Sequence, residues 1–300
     1  MLTDEELDKL RKAGKVSAEV RSFVDGIIRE NVRIFDVCER IESEILKRGA
    51  KPAFPCNVDI NEIAAHYTSP PNDDSQIPNG SVVKVDLGAH VDGYIGDTAI
   101  SICLDPEYLI LKQATDDALE AAIHIIKPGV KVSVIGEAIQ REIEKYGLKP
   151  IRNLTGHGIA RFMLHTGNPI PNVASINGLK VEENDVYAIE PFATTAEGEG
   201  EIGPGDIGFI YRILKDKPPK KDEERKLLDT LKKNFHTLPF AWRWALKTSP
   251  VKNFSSIFEN LIKEKFIVGY PTLVELKKQP IAQSEHTVLV TGDGCEVLTA

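Results

Sequence analysis

Five side chains in this sequence could do chemistry together. Asp86 and Asp97 lie in VVKVDLGAHVDGYIGDTAIS, residues 82–101. His157 stands between glycines in TGHG, Glu190 in the apolar run AIEPF, and Glu285 in PIAQSEHTVLV. Two carboxylates side by side among apolar neighbours repel, and they do not ionise together without a cation between them. A glutamate in an apolar strand must be paired, neutral or metal-bound once buried. Glycines on both sides of a histidine permit close backbone approach to a ligand. Taken singly, each residue has an ordinary reading: a solvated aspartate, a structural histidine, an edge-strand glutamate. Taken together, four carboxylates and one imidazole make an oxygen-rich set suited to two divalent first-row metals. Such a site is close to neutral before a bridging hydroxide binds. Two metals at about 3.5–4 Å can hold and deprotonate a water between them and polarise a carbonyl.

The elements that must position these groups are legible in the patterning. Residues 82–89 and 94–101 are expected to form two strands joined near Asp92-Gly93, a pair that accepts positive φ. A loop centred between Val91 and Asp92 sets Asp86 opposite Asp97. A two-residue turn at Asp92-Gly93 pairs Asp86 with Ala99 and Gly88 with Asp97 instead. Side chains alternate with period 2, so both registers leave the carboxylates on one face, whereas a three-residue loop separates them. Thr3 followed by Glu6 is a capping box. Leu7, Leu10, Ala13, Val16, Val20, Phe23 and Ile27 then mark a long amphipathic helix. A second helix is expected over about residues 36–48, stopped by Gly49.

An internal repeat follows. Residues 27–52 and 125–150 align without a gap at an offset of 98, with 11 of 26 positions identical. The period is too long for a solenoid. It predicts a duplicated helix-helix-strand unit and two halves about a pseudo-two-fold axis, with a cleft between them for a ligand. Residues 181–192 read as a turn and then the strand VYAIEPF, ending or bulging at Pro191 beside Glu190.

Length and composition describe a soluble globular chain. It has 300 residues, 42% apolar and 27% charged, with a net charge of −8. That charge argues against wholesale nucleic-acid binding. No run approaches a membrane span, and the N-terminus is polar and acidic without a signal-peptide core. The four cysteines form no C-x-x-C, so a reduced, cytoplasmic chain is expected. Residues 216–270 differ in character: they carry +5, leaving −13 elsewhere, and show helical patterns at about 222–235, 239–247 and 254–265. They read as a helical insertion into a continuous α/β domain. GPGDIG, residues 203–208, matches a dinucleotide fingerprint, but FIYRIL after it is a strand pattern where that site needs a helix N-terminus.

The set VDLGAHVDGYIGDTA, TGHGI, AIEPF and QSEHT resembles the ligand motifs of the pita-bread metallopeptidases, and among them the short, archaeal type 2 methionine aminopeptidases. The resemblance covers essentially the whole chain. It implies an α/β (α+β) pseudo-two-fold fold, a curved antiparallel sheet with two pairs of helices. Residues 1–215 and 271–300 would be catalytic, and 216–270 the helical insertion subdomain that type 1 enzymes lack. Asp86, Asp97, His157, Glu190 and Glu285 would hold two divalent ions (Co, Mn, Fe or Zn). Asp97 and Glu285 would bridge them, Asp86 would complete one site, and His157 and Glu190 the other. His66 and His165 would contact substrate and tetrahedral intermediate, and donate to the oxyanion. Glu190 would also carry a proton, while Phe54, Phe192 and Tyr270 would line a methionine pocket.

The implied activity is removal of the N-terminal methionine from nascent proteins when the second residue is small, a limit set near Tyr270 or His66. The implied partners are the N-terminal peptides of nascent proteins, with no membrane and a monomeric chain. A transient ribosome contact through the basic insertion is weighed against plain solvation of its helices, which is preferred. Two rivals were considered. An Xaa-Pro aminopeptidase usually carries a sizeable leading domain, for which a first ligand at residue 86 leaves no room. A non-catalytic ribosome- or RNA-binding homologue loses ligands, and all five are present here.

Overall fold

A computed structural model describes residues 2–176, 178–215 and 217–300; Asp216, the expected first residue of the insertion, lies outside them. The repeat is visible element by element. The helix Ile34–Lys47, the strand Lys51–Pro52 and the strand Asn57–Ile60 recur as Val132–Lys145, Lys149–Pro150 and Thr155–Gly158, each displaced by 98 residues. Both helices stop alike, with Gly49 and Gly147 at φ 76° and 72°, a conformation that costs glycine no Cβ clash. A longer helix precedes each copy, Asp4–Val24 and Leu109–Ile125. The first opens on the capping box: the Thr3 side chain accepts from the Glu6 N–H, and the Glu6 carboxylate takes the Thr3 N–H. The stripe expected to reach Ile27 ends with the helix at Val24, and Ile27 is buried just beyond it.

An antiparallel sheet of nine strands joins the halves. Its path runs Lys51–Pro52, Val82–Val91, Tyr94–Cys103, Glu285–Val290, Val186–Ile189, Thr155–Gly158, Pro169–Pro171, with Asn57–Ile60 and Cys295–Val297 paired off it. One helix pair packs Val16, Val20, Val37 and Ile41 against Val83, Val85 and Leu87. The other packs Leu111, Ala118, Ile135 and Ile139 against Tyr187, Ile189 and Val288. The hairpin takes the two-residue turn: Asp92 and Gly93 have φ 53° and 87°, pairing Asp86 with Ala99 and Gly88 with Asp97.

The expected strand VYAIEPF is two strands. Val186–Ile189 lies in the large sheet, while Phe192–Thr194 pairs with Ile281–Gln283 and Lys149–Pro150 in a second sheet. Pro191 has no N–H for a ladder, so the chain breaks there. The neighbouring chain breaks at Ser284, between Ile281–Gln283 and Glu285–Val290. Glu190 and Glu285 therefore sit where two adjacent chains cross between sheets.

Beyond residue 216 come the helices Asp222–Phe235, Trp242–Thr248 and Phe254–Lys263, close to the helical patterns. Leu227, Leu231, Phe254, Phe258 and Leu261 build an apolar cluster there together with Tyr211 of the strand Ile202–Ile213. The strand Ile267–Glu275 crosses residue 270, where the insertion was expected to end, and pairs with Ile202–Ile213. No helix among the described residues is long and apolar enough to cross a membrane.

GPGDIG lies within the strand Ile202–Ile213. Its last glycine has a packing role. A Cβ on Gly208 would fall 1.6 Å from the His66 carbonyl oxygen, and the Gly208 carbonyl accepts the Thr68 N–H at 3.0 Å. Gly208→Ala must push the His66 segment away. Thermal denaturation should register a loss of about 1–3 kcal/mol, as for other overpacking changes; an unchanged melting temperature would show that the two backbones do not meet so closely.

Candidate metal centre

The register converges the five side chains. Asp86 and Asp97 share a face of the hairpin. Glu285 pairs with Ala99, and His157 with Ala188, two residues before Glu190. The Asp97 N–H donates to Thr287 Oγ1 at 2.7 Å and the Thr287 hydroxyl donates to the Asp97 carbonyl at 2.8 Å, locking the central strands together. His157 Nε2 lies 3.7 Å from Asp97 Oδ2 and 3.7 Å from Glu190 Oε1. One ligand atom each from Asp97, His157 and Glu285 falls within 4.8 Å of the others. Asp86 joins from the flanking strand, and all five line one cavity of about 370 Å³.

Two amides missed in the sequence brace this set. Asn57 stands opposite Asp86 and donates from Nδ2 to its Oδ2 at 3.4 Å. Gln283 Nε2 reaches Glu190 Oε2 at 3.3 Å and Glu285 Oε2 at 3.4 Å. Gln283 belongs to the QSEHT motif, but its spacing alone does not tell a brace from a core amide.

Burial dominates the electrostatics. It pushes the Asp97, Glu190 and Glu285 carboxyls well above the ordinary range, with neighbouring carboxylates adding to the rise. Burial also raises Asp86 to about 7 and lowers His157 to about 3. Asp86 Oδ1, Asp97 Oδ1 and Glu285 Oε1 are buried without a hydrogen-bond partner. Orphaned buried oxygens at this density are costly in the absence of a cation. The donor set therefore fits divalent ions.

The same cavity brings in His66, His165, Phe54, Phe192 and Tyr270. His66 has φ 73°, an uncommon conformation for a non-glycine residue. Its Nδ1 lies 3.3 Å from the Pro271 carbonyl, and its ring packs edge-on to Tyr270 at 5.3 Å. A carbonyl only accepts, so Nδ1 carries the hydrogen and Nε2 is the acceptor. Burial lowers the His66 pKa, which keeps the ring neutral. His165 packs edge-on to His157 at 4.2 Å. Phe54 is buried against Gly88, where a Cβ would meet its ring at 2.4 Å.

These shifts set a pH dependence for metal-free protein. An unfolded aspartate titrates near about 3.9, and folded Asp86 near about 7. The folded state thus holds this proton more tightly, so the contribution of Asp86 to stability is full below about pH 4 and falls as pH rises towards 7. Chelator-treated protein should melt at a lower temperature at pH 7 than at pH 5, and Mn2+ should raise the melting point more at pH 7. A metal-free melting temperature that climbs from pH 5 to 7 would contradict the buried, repelling cluster.

Comparison with known proteins shows what the chain is similar to. The profile described as Metallopeptidase family M24 matches residues 8–291. A methionine aminopeptidase of Methanocaldococcus jannaschii is 44% identical over 292 residues, 97% of this chain and 98% of that one. Another, from Saccharolobus solfataricus, is 46% identical over 304 residues and 99% of both chains. The crystal structure of methionine aminopeptidase from Rickettsia prowazekii superposes with a TM-score of 0.71 at 25% identity, covering 100% of this chain and 99% of that one. Its pita-bread fold is the fold described above. With the profile spanning nearly the whole sequence, the chain belongs to metallopeptidase family M24.

Proposed function

We propose that this protein removes the N-terminal methionine from newly made polypeptides whose second residue is small, using two divalent cations drawn from Mn, Fe, Co or Zn. The observation that carries this is the convergence of Asp86, Asp97, His157, Glu190 and Glu285 on one cavity in a chain of this family. Asp97 and Glu285, on the two central strands, would bridge the ions. Asp86 would complete one site, and His157 with Glu190 the other. Bound there, divalent cations supply a deprotonated water at neutral pH and polarise the scissile carbonyl.

The remaining steps belong to the chain. Phe54, Phe192 and Tyr270 form an apolar wall for the methionine side chain. His165 donates to the oxyanion of the tetrahedral state, a preorganised electrostatic contribution. His66 takes a different part from the one expected of it: with its hydrogen on Nδ1, it accepts at Nε2 and suits the amide N–H of the second residue. Glu190, its carboxyl raised by burial, accepts a proton and returns it to the leaving amine. The His66 and Tyr270 rings stand edge-on at 5.3 Å on the cavity wall, which supports a limit on the second residue.

The insertion belongs to the same proposal: a subdomain over about residues 216–270, packed on an apolar cluster it shares with Tyr211 and handing the chain back through the strand Ile267–Glu275. Its charges are mostly solvated, apart from buried Glu224 and Arg243, and the chain acts as a cytoplasmic monomer.

Metal analysis coupled to a peptide assay tests this function. Met-Ala-Ser should release methionine, Ala-Pro should not be cut, and metal should be bound. Glu190→Gln should lower kcat by about 10²–10⁴-fold. Unaltered turnover in that variant, or preference for Ala-Pro, would refute the proposal.

A further inference from the structure

Lys84 is fully buried, two residues before Asp86 on the same strand. An ammonium taken out of water costs several kcal/mol unless oxygens replace its hydration. Its Nζ donates to the backbone carbonyls of Asn61 at 2.9 Å and Ile281 at 3.0 Å. Asp59 faces it in register on the neighbouring strand. Asp59 Oδ1 accepts the Tyr67 N–H at 2.9 Å, and Asp59 Oδ2 is buried without a hydrogen-bond partner.

The repeat locates this pair in the second half's terms. The 98-residue offset carries Asn57–Ile60 onto Thr155–Gly158, and so Asp59 onto His157. Asp59 pairs with Lys84, two residues before Asp86; His157 pairs with Ala188, two residues before Glu190. Where the second half places an imidazole, the first half places a carboxylate with a buried ammonium opposite.

We infer that Lys84 is a positioning residue, a built-in cation that aligns three segments lining the cavity of the metal centre. Asn61 lies five residues before His66, Ile281 four before Glu285, and Lys84 itself two before Asp86. The Asn61 carbonyl also accepts the Ile281 N–H at 3.0 Å, so the ammonium closes a junction of all three segments. Asp59 adds a fourth tie, through Tyr67, to the residue next to His66. This inference rests on Asp86 and Glu285 being metal ligands.

Two effects oppose one another, and their sign separates them. Removing a positive charge near the site should tighten divalent cation binding if electrostatics alone mattered. Loosening the ligand-bearing segments should weaken it, by about 10–100-fold for supporting partners of metal ligands.

Calorimetric titration of metal-free full-length protein with MnCl2 decides the sign, with folding checked by circular dichroism. Lys84→Met should bind Mn2+ about 10–100-fold more weakly. Saturating Mn2+ should restore its kcat with the KM for Met-Ala-Ser unchanged. Lys84→Arg, which keeps charge and donors, should retain most of the affinity. Equal or tighter binding in Lys84→Met overturns the inference. If Lys84→Met fails to fold, the Asp59→Asn/Lys84→Met double variant, which leaves no lone buried charge, carries the same comparison with the same criterion. Wild-type protein that binds no Mn2+ would instead overturn the metal centre itself.

Discussion

Mutual repulsion among buried carboxylates is the constraint on which this structure depends. Two unit charges 4 Å apart repel by about 4 kcal/mol at an effective dielectric constant near 20. Asp86, Asp97, Glu190 and Glu285 share one cavity, with Asp97 and Glu285 almost fully buried. A fold that spends stability in this way must hold the groups rigidly enough that they cannot relax into water. Here that rigidity comes from the centre of a nine-stranded sheet, where Thr287 locks the strands bearing Asp97 and Glu285 by two reciprocal hydrogen bonds. Divalent cations relieve the repulsion, so the folded scaffold and the reagent it holds are thermodynamically linked.

Duplication explains how one chain assembles such a site. Each half brings a helix pair, a short edge strand and a strand that flanks the centre, and the halves meet on the two middle strands. The copies have diverged where chemistry required it. Asp59 and His157 occupy equivalent positions, yet one serves a buried ammonium and the other faces the carboxylate cluster. The helices after residue 216 add a third part. Buried Arg243 from that part pairs with Glu42 and donates to Thr68 Oγ1 at 2.8 Å, two residues beyond His66. That part therefore braces the wall of the cleft through buried Arg243, while its Pro239 lines the cavity directly.

Much of this was legible before any coordinates. The period-2 alternation of the hairpin put Asp86 and Asp97 on one face whichever of the two turns formed. The capping box at Thr3 and the stop at Gly49 marked real helix termini. Other features left no trace because they depend on contacts between distant segments. Pro191 signalled an interruption, but not that the chain would change sheets there, nor that its neighbour would do so at Ser284. Asn57 and Gln283 are ordinary polar residues in sequence and become braces only in register with Asp86 and Glu190. Lys84 reads as one more charged residue in an alternating strand; its burial follows from the carbonyls of Asn61 and Ile281, which lie far apart in sequence. The unusual φ of His66 likewise leaves no mark in the sequence, and neither does the close approach of Gly208 to its carbonyl.

Anomalous diffraction at the manganese edge from crystals grown with Mn2+ tests the central claim most directly. Two peaks are expected inside the cavity, both within bonding reach of Asp97 and Glu285, one also against Asp86 and the other against His157 and Glu190. Peaks confined to the surface, or none at full occupancy of the crystallisation metal, would contradict it.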